Sequence, residues 1–332
     1  MKIVSDLSVT TAPSRPRQLW DPGWLFHNGA QGAVYNPTQI ANLFVDAAGT
    51  TPVTVPGDLI ARIEDQSGNG TPLTQASSSL RPTAHETAQP VVGAQFDLVD
   101  DVLTTGPIAA GLTGQSFVAG DGGCYATPLG ISAGGAFTIG GSANNWTGAV
   151  TGALRAATGD TGRLLGAIIR EGTFSESDIA RLERHFIALG GKGLLVPGPE
   201  LIANRDFGSG LDNWVLNAAA TGAVTAASGV AEFTAPHGDW ASLAAGGLAL
   251  TVGTPYLLSI DVLGRPSASA LAYCYLGGQT VFGVNCSGLA GQTISKVVVP
   301  LNTGTLSMQV RTDGAIGFDN ISVRRLIPRE EL

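Results

Sequence analysis

Short apolar segments separated by turn residues run through most of this sequence of 332 residues, and this pattern constrains the fold more than any other feature. Within a segment, apolar and polar residues alternate, as Met308 and Val310 do with Gln309 and Arg311. A period of two residues is typical of β-strands with one buried and one exposed face. The 46 glycines follow no fixed repeat and supply tight turns between such strands. We therefore predict an all-β chain built of two-layer sandwiches.

One segment has the period of a helix instead, from Ser175 to Leu189. Ser175 can cap its N-terminus together with Asp178, and Gly190 and Gly191 would end it. One face of this helix carries Ile179, Leu182, Phe186 and Leu189. We predict that the helix covers a sheet or a sheet edge.

The segment GGKGLLVPGP, from Gly190 to Pro199, is the best candidate for a domain boundary, because a helix end is followed there by prolines and further glycines. A chain of this length has room for two hydrophobic cores. We predict an N-terminal arm at 1–20 that could dock onto another protein, a first β-sandwich at 21–190, a linker at 191–197, a second β-sandwich at 198–327 and a tail at 328–332.

Alternation and turn residues predict six strands in the second sandwich. They are Leu257–Leu263, Leu271–Leu276, Thr280–Val284, Ser295–Leu301, Thr305–Thr312 and Ile316–Arg324.

Charge and cysteine content narrow the range of partners. The formal net charge is -8, and no basic stretch could neutralise phosphates, so we expect neither nucleic acid nor an anionic membrane surface as a partner. The spacing of the three cysteines matches no zinc site. We predict that they are buried apolar residues, with a disulfide between Cys274 and Cys286 as the alternative.

Catalytic motifs are lacking in the sequence, which has no nucleophile elbow, no HExxH zinc motif and no phosphate-binding loop. The neighbouring Asp100 and Asp101 are predicted to lie on a strand with their carboxylates on opposite faces, where they could not act together on one glycosidic bond. We therefore predict that the chain is not an enzyme. A pair of carboxylates contributed by different loops stays open as the alternative.

Three blocks in the second half carry a resemblance to a known family: GPELIANRDFGSGLDNW at 198–214, LTVGTPYLLSIDV at 250–262 and GAIGFDNISVRRL at 314–326. Together they resemble carbohydrate-binding modules of families four and nine. The resemblance implies that residues 198–327 form a jelly roll that binds carbohydrate.

The first half resembles the concanavalin A and laminin-G-like sandwiches of phage tail and spike proteins, on the blocks 32–70, QFDLVDDVLTT at 95–105 and GAIIREGTFSESDIARLERHF at 166–186. The two halves together resemble a virion spike or fibre protein of a phage or a gene transfer agent. This resemblance implies adhesion to a host capsule or lipopolysaccharide, a homo-oligomer, and contacts with other spike or capsid proteins. A purely structural particle protein and a polysaccharide-degrading spike are the alternatives.

The N-terminal sequence shows no apolar segment that would direct secretion, and the chain has no apolar run long enough for a membrane-spanning helix. For a virion part, this predicts assembly in the bacterial cytoplasm, release by lysis and a final location at the virion surface.

A carbohydrate site needs aromatic rings for the apolar faces of sugars and polar side chains for their hydroxyls. Trp240 lies in a polar stretch, and Trp214 is expected in the core instead. Tyr273 and Tyr275 share one face of a predicted strand and could serve either the site or the core. The candidate binding residues are Asp239, Trp240, Tyr273, Tyr275, Gln309 and Arg311.

The resemblance to carbohydrate-binding modules also implies a structural calcium ion between the first and last blocks. Asp206 and Asp319 hold the matching positions, although Gly208 stands where many relatives have a glutamate. Carboxylate oxygens are ligands that calcium prefers. The alternative for Asp319 is a carboxylate that accepts hydrogen bonds from a local turn.

Overall fold

A computed structural model of the protein shows two successive β-sandwiches. It describes residues 22–26, 29–86, 92–108, 112–130, 136–141, 154, 157–158, 162–217, 219–235, 239–263, 271–286, 291–311 and 315–332. The predicted arm at residues 1–20 lies outside these ranges. No helix within them is long and apolar enough to span a membrane.

The first sandwich precedes residue 190 and includes one well-defined helix. Its elements are β1 (Gly32–Tyr35), β2 (Leu43–Phe44), β3 (Arg62–Ile63), β4 (Leu73–Thr74), β5 (Thr83–Glu86), β6 (Val92–Gln95), β7 (Val102–Pro107), β8 (Thr113–Gly120), β9 (Gly123–Gly130), β10 (Ala136–Gly140), β11 (Arg163–Glu171) and α1 (Glu176–Ala188). Short 3-10 helices lie at Pro22–Phe26, Ile40–Asn42 and Ser78–Leu80.

Two sheets form this first sandwich. One has strand order β5-β6-β11-β8-β9, with β1 also paired to β11, and the other has order β10-β7-β4-β3-β2. Residues that alternate along a strand divide between core and outer face, so that Leu103 and Thr105 of β7 are buried while Thr104 is half-buried on the other side.

Helix α1 covers the outer face of the six-stranded sheet. Its residues Leu182 and Phe186 pack in an apolar cluster with Phe117 and Ile168 of that sheet. Since β11 has the sandwich core on one side and α1 on the other, every residue from Arg163 to Ile169 is buried.

The N-terminus of α1 confirms the prediction made from its capping residues. The backbone N–H of Asp178 donates to Ser175 Oγ at 3.1 Å, and the backbone N–H of Ser175 donates to Asp178 Oδ2 at 3.1 Å. These bonds satisfy two of the N–H groups that lack partners at a helix start. Gly190 follows the helix with φ of 92°, a conformation that favours glycine.

The second sandwich follows without another long helix in its described part. Its strands are β12 (Leu195–Glu200), β13 (Trp214–Leu216), β14 (Ala223–Ala227), β15 (Val230–Thr234), β16 (Ala241–Ala245), β17 (Tyr256–Val262), β18 (Leu271–Leu276), β19 (Gln279–Asn285), β20 (Gln292–Val298), β21 (Leu306–Arg311) and β22 (Ala315–Pro328). A 3-10 turn at Arg329–Glu331 follows β22. All six predicted strands are present, with ends that differ by a few residues.

The two sheets of the second sandwich enclose a separate apolar core. One has strand order β14-β15-β22-β17-β20, with β12 also paired to β22, and the other has order β13-β16-β21-β18-β19. In β17 the buried residues Tyr256, Leu258, Ile260 and Val262 alternate with half-buried ones. The structure thus agrees with the predicted fold class of two all-β sandwiches.

Part of the predicted linker belongs to the second sandwich. Strand β12 begins at Leu195, which pairs with Pro328 at the end of β22. Just before it, Leu194 donates its N–H to Glu183 Oε1 of α1 at 2.8 Å and accepts from the N–H of Arg329 at the same distance. The core cluster of the first sandwich also includes Leu195 and Leu326. Residues 194–195 therefore connect the two sandwiches through hydrogen bonds and apolar contacts.

The three cysteines are free and buried, as predicted for small apolar residues. The alternative disulfide between Cys274 and Cys286 does not form, and both residues lie in the core of the second sandwich. Burial raises the pKa of the Cys286 thiol to about 11, so the thiol stays protonated at neutral pH.

Candidate functional site

The outer face of the sheet β13-β16-β21-β18-β19 holds the residues predicted to bind carbohydrate. On β18, Ala272, Cys274 and Leu276 are buried in the core. Tyr273 and Tyr275 stand between them and therefore project from the opposite face, where both are half-buried.

Strand pairing brings the other candidates to the same face. Gln309 of β21 lies opposite Tyr273, and Ser242 of β16 lies opposite Gln309. Arg311, two residues after Gln309, is exposed, and Trp240 lies two residues before Ser242. We call the set Asp239, Trp240, Tyr273, Tyr275, Gln309 and Arg311 the outer platform.

The three aromatic rings of the outer platform form one contiguous group. The ring centroids of Trp240 and Tyr273 are 5.5 Å apart, with an angle of 59° between the ring planes. The centroids of Tyr273 and Tyr275 are 6.4 Å apart, with nearly parallel planes at 16°. Tyr273 is thus the central ring, in contact range of a neighbour on each side.

Arg311 lies against the tryptophan. Its guanidinium carbon is 5.5 Å from the centroid of the Trp240 ring, within the range of a cation–π contact. The sequence predicted Arg311 as a sugar ligand. The structure also places its guanidinium over one face of the Trp240 indole.

Several polar groups of the outer platform have no hydrogen-bond partner among the described residues. In the part of the chain that the structure describes, the hydroxyls of Tyr273 and Tyr275 and the amide of Gln309 form no hydrogen bond with a protein group. All three side chains are partly exposed, so their donors and acceptors meet solvent. A ligand with several hydroxyl groups could take the place of that water.

The ring spacing defines how a ligand could bind. A sugar held between two aromatic rings makes van der Waals contact with both at about 3.5–4.0 Å, so the two centroids would be about 7–8 Å apart. The observed distances of 5.5 and 6.4 Å are shorter than that. Neither of these two neighbouring ring pairs can therefore enclose a sugar, and each can contact a sugar from one side.

The structure brings five of the six predicted binding residues together, Trp240, Tyr273, Tyr275, Gln309 and Arg311, and Asp239 precedes Trp240 in the chain. The role of all six in binding stays a prediction. Two neighbours were missed, Ser242 and Gly283, which lie in the same cross-strand row as Gln309 and Tyr273. Their positions depend on the strand order of the sheet, which the local sequence pattern does not encode.

Trp214 occupies the core, as predicted. It is buried, its ring stacks on Phe207 at 5.1 Å, and its Nε1 donates to the carbonyl of Asn204 at 2.9 Å. This tryptophan therefore stabilises the start of the second sandwich and does not reach the outer platform's solvent side.

The two carboxylates predicted to hold calcium each accept a hydrogen bond from a nearby backbone N–H, Asp206 in the segment after β12 and Asp319 within β22. Asp206 is exposed and accepts from the N–H of Gly208 at 3.2 Å. Asp319 accepts from the N–H of Asn320 at 2.6 Å, and the Asn320 amide also donates to Asp261 at 2.9 Å. Neither aspartate belongs to a group of three acidic, histidine or cysteine ligands among the described residues. Calcium at this pair stays a prediction.

A compact acidic turn lies elsewhere, in the first sandwich. Carboxylate oxygens of Asp97, Asp100 and Asp101 all lie within 4.8 Å of one another, an arrangement that could hold a metal ion. The prediction that Asp100 and Asp101 point to opposite faces of a strand is wrong, because β7 begins only at Val102. Asp97 Oδ1 accepts from the backbone N–H groups of Val99, Asp100 and Asp101, which folds these residues into a turn.

The acidic turn has one buried member. Burial raises the pKa of the Asp101 carboxyl to about 6, and the nearby carboxylates of Asp97 and Asp100 add to the rise, while a hydrogen bond from the N–H of Asp97 opposes it. Asp101 Oδ2 accepts that bond at 2.8 Å. The carboxylates of Asp97 and Asp101 therefore already have structural roles as acceptors.

Comparisons with known proteins give matches in fold and none in sequence. No family model and no curated protein matches the chain. Among solved structures, a family 4 carbohydrate-binding module (CBM4) is 16% identical over 37% of this chain and 99% of its own, with a TM-score of 0.29.

Two further solved structures belong to larger proteins. The enzymatically active domain of tailspike protein 4 from bacteriophage CBA120 is 17% identical over 41% of this chain, with a TM-score of 0.31, and the match spans 22% of that domain. The N-terminal tandem of two family 22 modules from Paenibacillus barcinonensis Xyn10C is 12% identical over 82% of this chain and 98% of its own, with a TM-score of 0.27. These likenesses concern the fold, and the function proposed below rests on the geometry of the outer platform.

Proposed function

We propose that this chain binds a polysaccharide on the outer platform of its second sandwich. The observation that carries the proposal is the contiguous group of Trp240, Tyr273 and Tyr275, which is half-buried on the outer face of a sheet. Aromatic rings left partly exposed in this way lose the apolar contacts that core rings make, unless a ligand supplies them. The apolar faces of sugar rings are such a ligand surface.

The polar groups beside these rings support a carbohydrate rather than a purely apolar ligand. Tyr273, Tyr275 and Gln309 offer hydroxyl and amide groups that have no protein partner in the described structure. Each can donate to or accept from a hydroxyl group of a sugar. The rings then give contact area, and the polar groups give orientation.

The outer platform supports binding without hydrolysis. Glycoside hydrolysis commonly uses two carboxyl groups on either side of the scissile bond. The outer platform, as defined, contains one carboxylate, that of Asp239. A steady release of reducing ends from a bound polysaccharide would contradict this part of the proposal and favour a degrading spike.

We also propose that the polysaccharide belongs to the surface of a bacterial host and that the chain is a virion spike or fibre protein. This setting is supported by the resemblance of the sequence blocks in both halves to such proteins. A one-sided platform gives weak binding at a single site, and several copies in a homo-oligomer would raise the effective concentration of sites. A purely structural role would instead require that the outer platform bind no host polysaccharide.

Affinity electrophoresis of the full chain tests the proposal, with soluble capsular polysaccharides, O-polysaccharide released from lipopolysaccharide, xylan and galactomannan as probes. We expect at least one probe to retard the wild-type chain, and Trp240→Ala to weaken that interaction by roughly tenfold or more, as for the loss of a large aromatic contact at a binding site. Retardation of the wild-type chain by none of the probes would contradict the proposal.

Trp24→Ala is the matched control. Trp24 lies in the first sandwich beneath Arg181, whose guanidinium carbon is 5.3 Å from its ring centroid. The control therefore removes the same residue type from the same kind of cation–π pair. We expect it to leave polysaccharide binding unchanged, and an equal loss in both variants would show that binding does not depend on the outer platform.

A further inference from the structure

Gly283 of β19 lies directly opposite Tyr273 of β18, so any side chain at position 283 would project from the same face as the tyrosine ring. The ring occupies that space. A Cβ atom built on Gly283 would lie 2.7 Å from Tyr273 Cε1 and 2.9 Å from Cδ1. The edge of the central platform ring thus rests on the bare backbone of the neighbouring strand.

The backbone itself does not require glycine at this position. Other glycines of the chain have positive φ, as Gly278 does with 78°, but Gly283 does not. Glycine weakens a strand interior and often marks the close approach of another group. Here that group is the Tyr273 ring, the nearest contact of the added Cβ.

We propose that Gly283 is a positioning residue that sets the place of the Tyr273 ring and, through it, the affinity of the outer platform for polysaccharide. The second half of this inference rests on the proposed function. In this proposal Gly283 acts by leaving room for the ring.

A methyl group at position 283 would displace the Tyr273 ring. Ordinary contact begins at 3.4 Å, so the ring must move by about 0.7 Å from a methyl group at 2.7 Å. It would move away from β19 and toward Gln309 on β21, the cross-strand partner on its other side. A gap of this size removes a quarter to a half of a van der Waals contact, and the shifted ring would also crowd the Gln309 amide.

The test is Gly283→Ala in the full chain, with the polysaccharide probe that retards the wild-type protein best. We expect binding to weaken about fivefold, from reduced contact with the displaced ring. Gly106→Ala is the matched control, because Gly106 lies on β7 without positive φ and its added Cβ would meet no atom within 4 Å. The control should bind as the wild type does.

Two further measurements decide whether the effect acts through Tyr273. In a double-mutant cycle, Gly283→Ala should cause no added loss in a Tyr273→Ala background. Crystal structures of the wild type and Gly283→Ala, without ligand, should show the ring displaced by about 0.7 Å, the shift that the added methyl requires.

Each outcome has a distinct meaning. Wild-type affinity in Gly283→Ala, an unmoved ring, or a loss of binding or folding that persists without Tyr273 would overturn the inference while the proposed function stands. Failure of the wild type to bind any probe would overturn the proposed function and, with it, the role of Gly283 in affinity. The ring displacement would then still decide whether Gly283 positions Tyr273.

Discussion

Two aromatic groups of this protein have similar ring spacing and opposite surroundings. Under helix α1 of the first sandwich, the Phe117 ring lies 5.9 Å from Phe186 and 6.3 Å from Phe174, and all three are buried. On the outer platform the corresponding distances are 5.5 and 6.4 Å, and the rings are half-buried. A helix completes the first group, whereas nothing in the described chain completes the second.

The residue types match these surroundings. The group under α1 consists of phenylalanines, which need no hydrogen-bond partner when buried. The outer platform uses tyrosines and a tryptophan, whose polar groups reach solvent. Aromatic packing alone therefore does not identify a binding face. The combination of partial exposure with polar groups on the rings is what distinguishes the proposed binding face.

Each of the two aromatic groups also has a ring that lies against a glycine of a neighbouring strand. Gly166 of β11 lies beneath Phe186, and a Cβ at that position would overlap the phenylalanine ring, as a Cβ at Gly283 would overlap Tyr273. In the first case the ring belongs to a packed helix and is buried, and in the second the ring is half-buried at the surface. The same glycine-to-ring contact should thus govern stability in one region and ligand affinity in the other.

Of these variants, we expect Phe186→Ala to have the largest effect on stability. Removing this buried ring leaves a cavity beneath α1, and we expect the free energy of unfolding to fall by about 3–5 kcal/mol. Urea denaturation followed by circular dichroism measures this change. Tyr275→Ala on the outer platform is the control, and a stability loss of similar size there would show that the outer rings belong to a core.

Gly166→Ala should have the next largest effect. The added methyl group overfills the contact between β11 and α1, where neither neighbour can move freely, and we expect a loss of about 1–3 kcal/mol in stability. Thermal unfolding of this variant beside Gly283→Ala provides the measurement. If Gly283→Ala destabilises the protein more than Gly166→Ala does, the proposed difference between the two regions is wrong.

The smallest effect concerns the acidic turn before β7. The pKa of Asp101 is raised to about 6 in the folded protein, above its ordinary value of 3.8, so the folded state holds this proton more tightly than the unfolded state. The resulting stabilisation is complete below about pH 4 and is lost as the pH rises through 6. We expect a change on the order of 1 kcal/mol, because neighbouring solvent screens part of the interaction.

Unfolding measured from pH 4 to pH 8 in the wild type and in Asp101→Asn checks this expectation. The asparagine oxygen can still accept from the N–H of Asp97, so the turn is kept while the titration is removed. Identical pH profiles for the two proteins would contradict the expectation that protonation of Asp101 contributes to stability. Polysaccharide binding by the outer platform should not differ between them.

Local sequence signals accounted for much of the fold. The capping residues Ser175 and Asp178 predicted α1, and alternation predicted the strands of the second sandwich, because both patterns arise from neighbouring residues. The same local pattern misled at Asp100 and Asp101, where hydrogen bonds to Asp97 hold a turn in a segment that alternates like a strand.

Long-range pairing explains what the sequence could not reveal. Strand β12 begins inside the predicted linker because Leu195 pairs with Pro328, more than a hundred residues away. The residue types at Trp240, Tyr273 and Gln309 suggested a sugar site, but their assembly depends on the order of β16, β21 and β18. Gly283 gave no signal at all, because its importance arises only from the strand paired with it.

The most direct test of carbohydrate binding on the outer platform is a crystal structure of the chain with an oligosaccharide from the polysaccharide that it binds best. We expect a sugar ring with its carbon atoms within about 4 Å of the Tyr273 or Trp240 ring, and its hydroxyl groups bonded to Gln309 or the tyrosine hydroxyls. An oligosaccharide bound to the first sandwich, or to another face of the second with the outer platform empty, would contradict it.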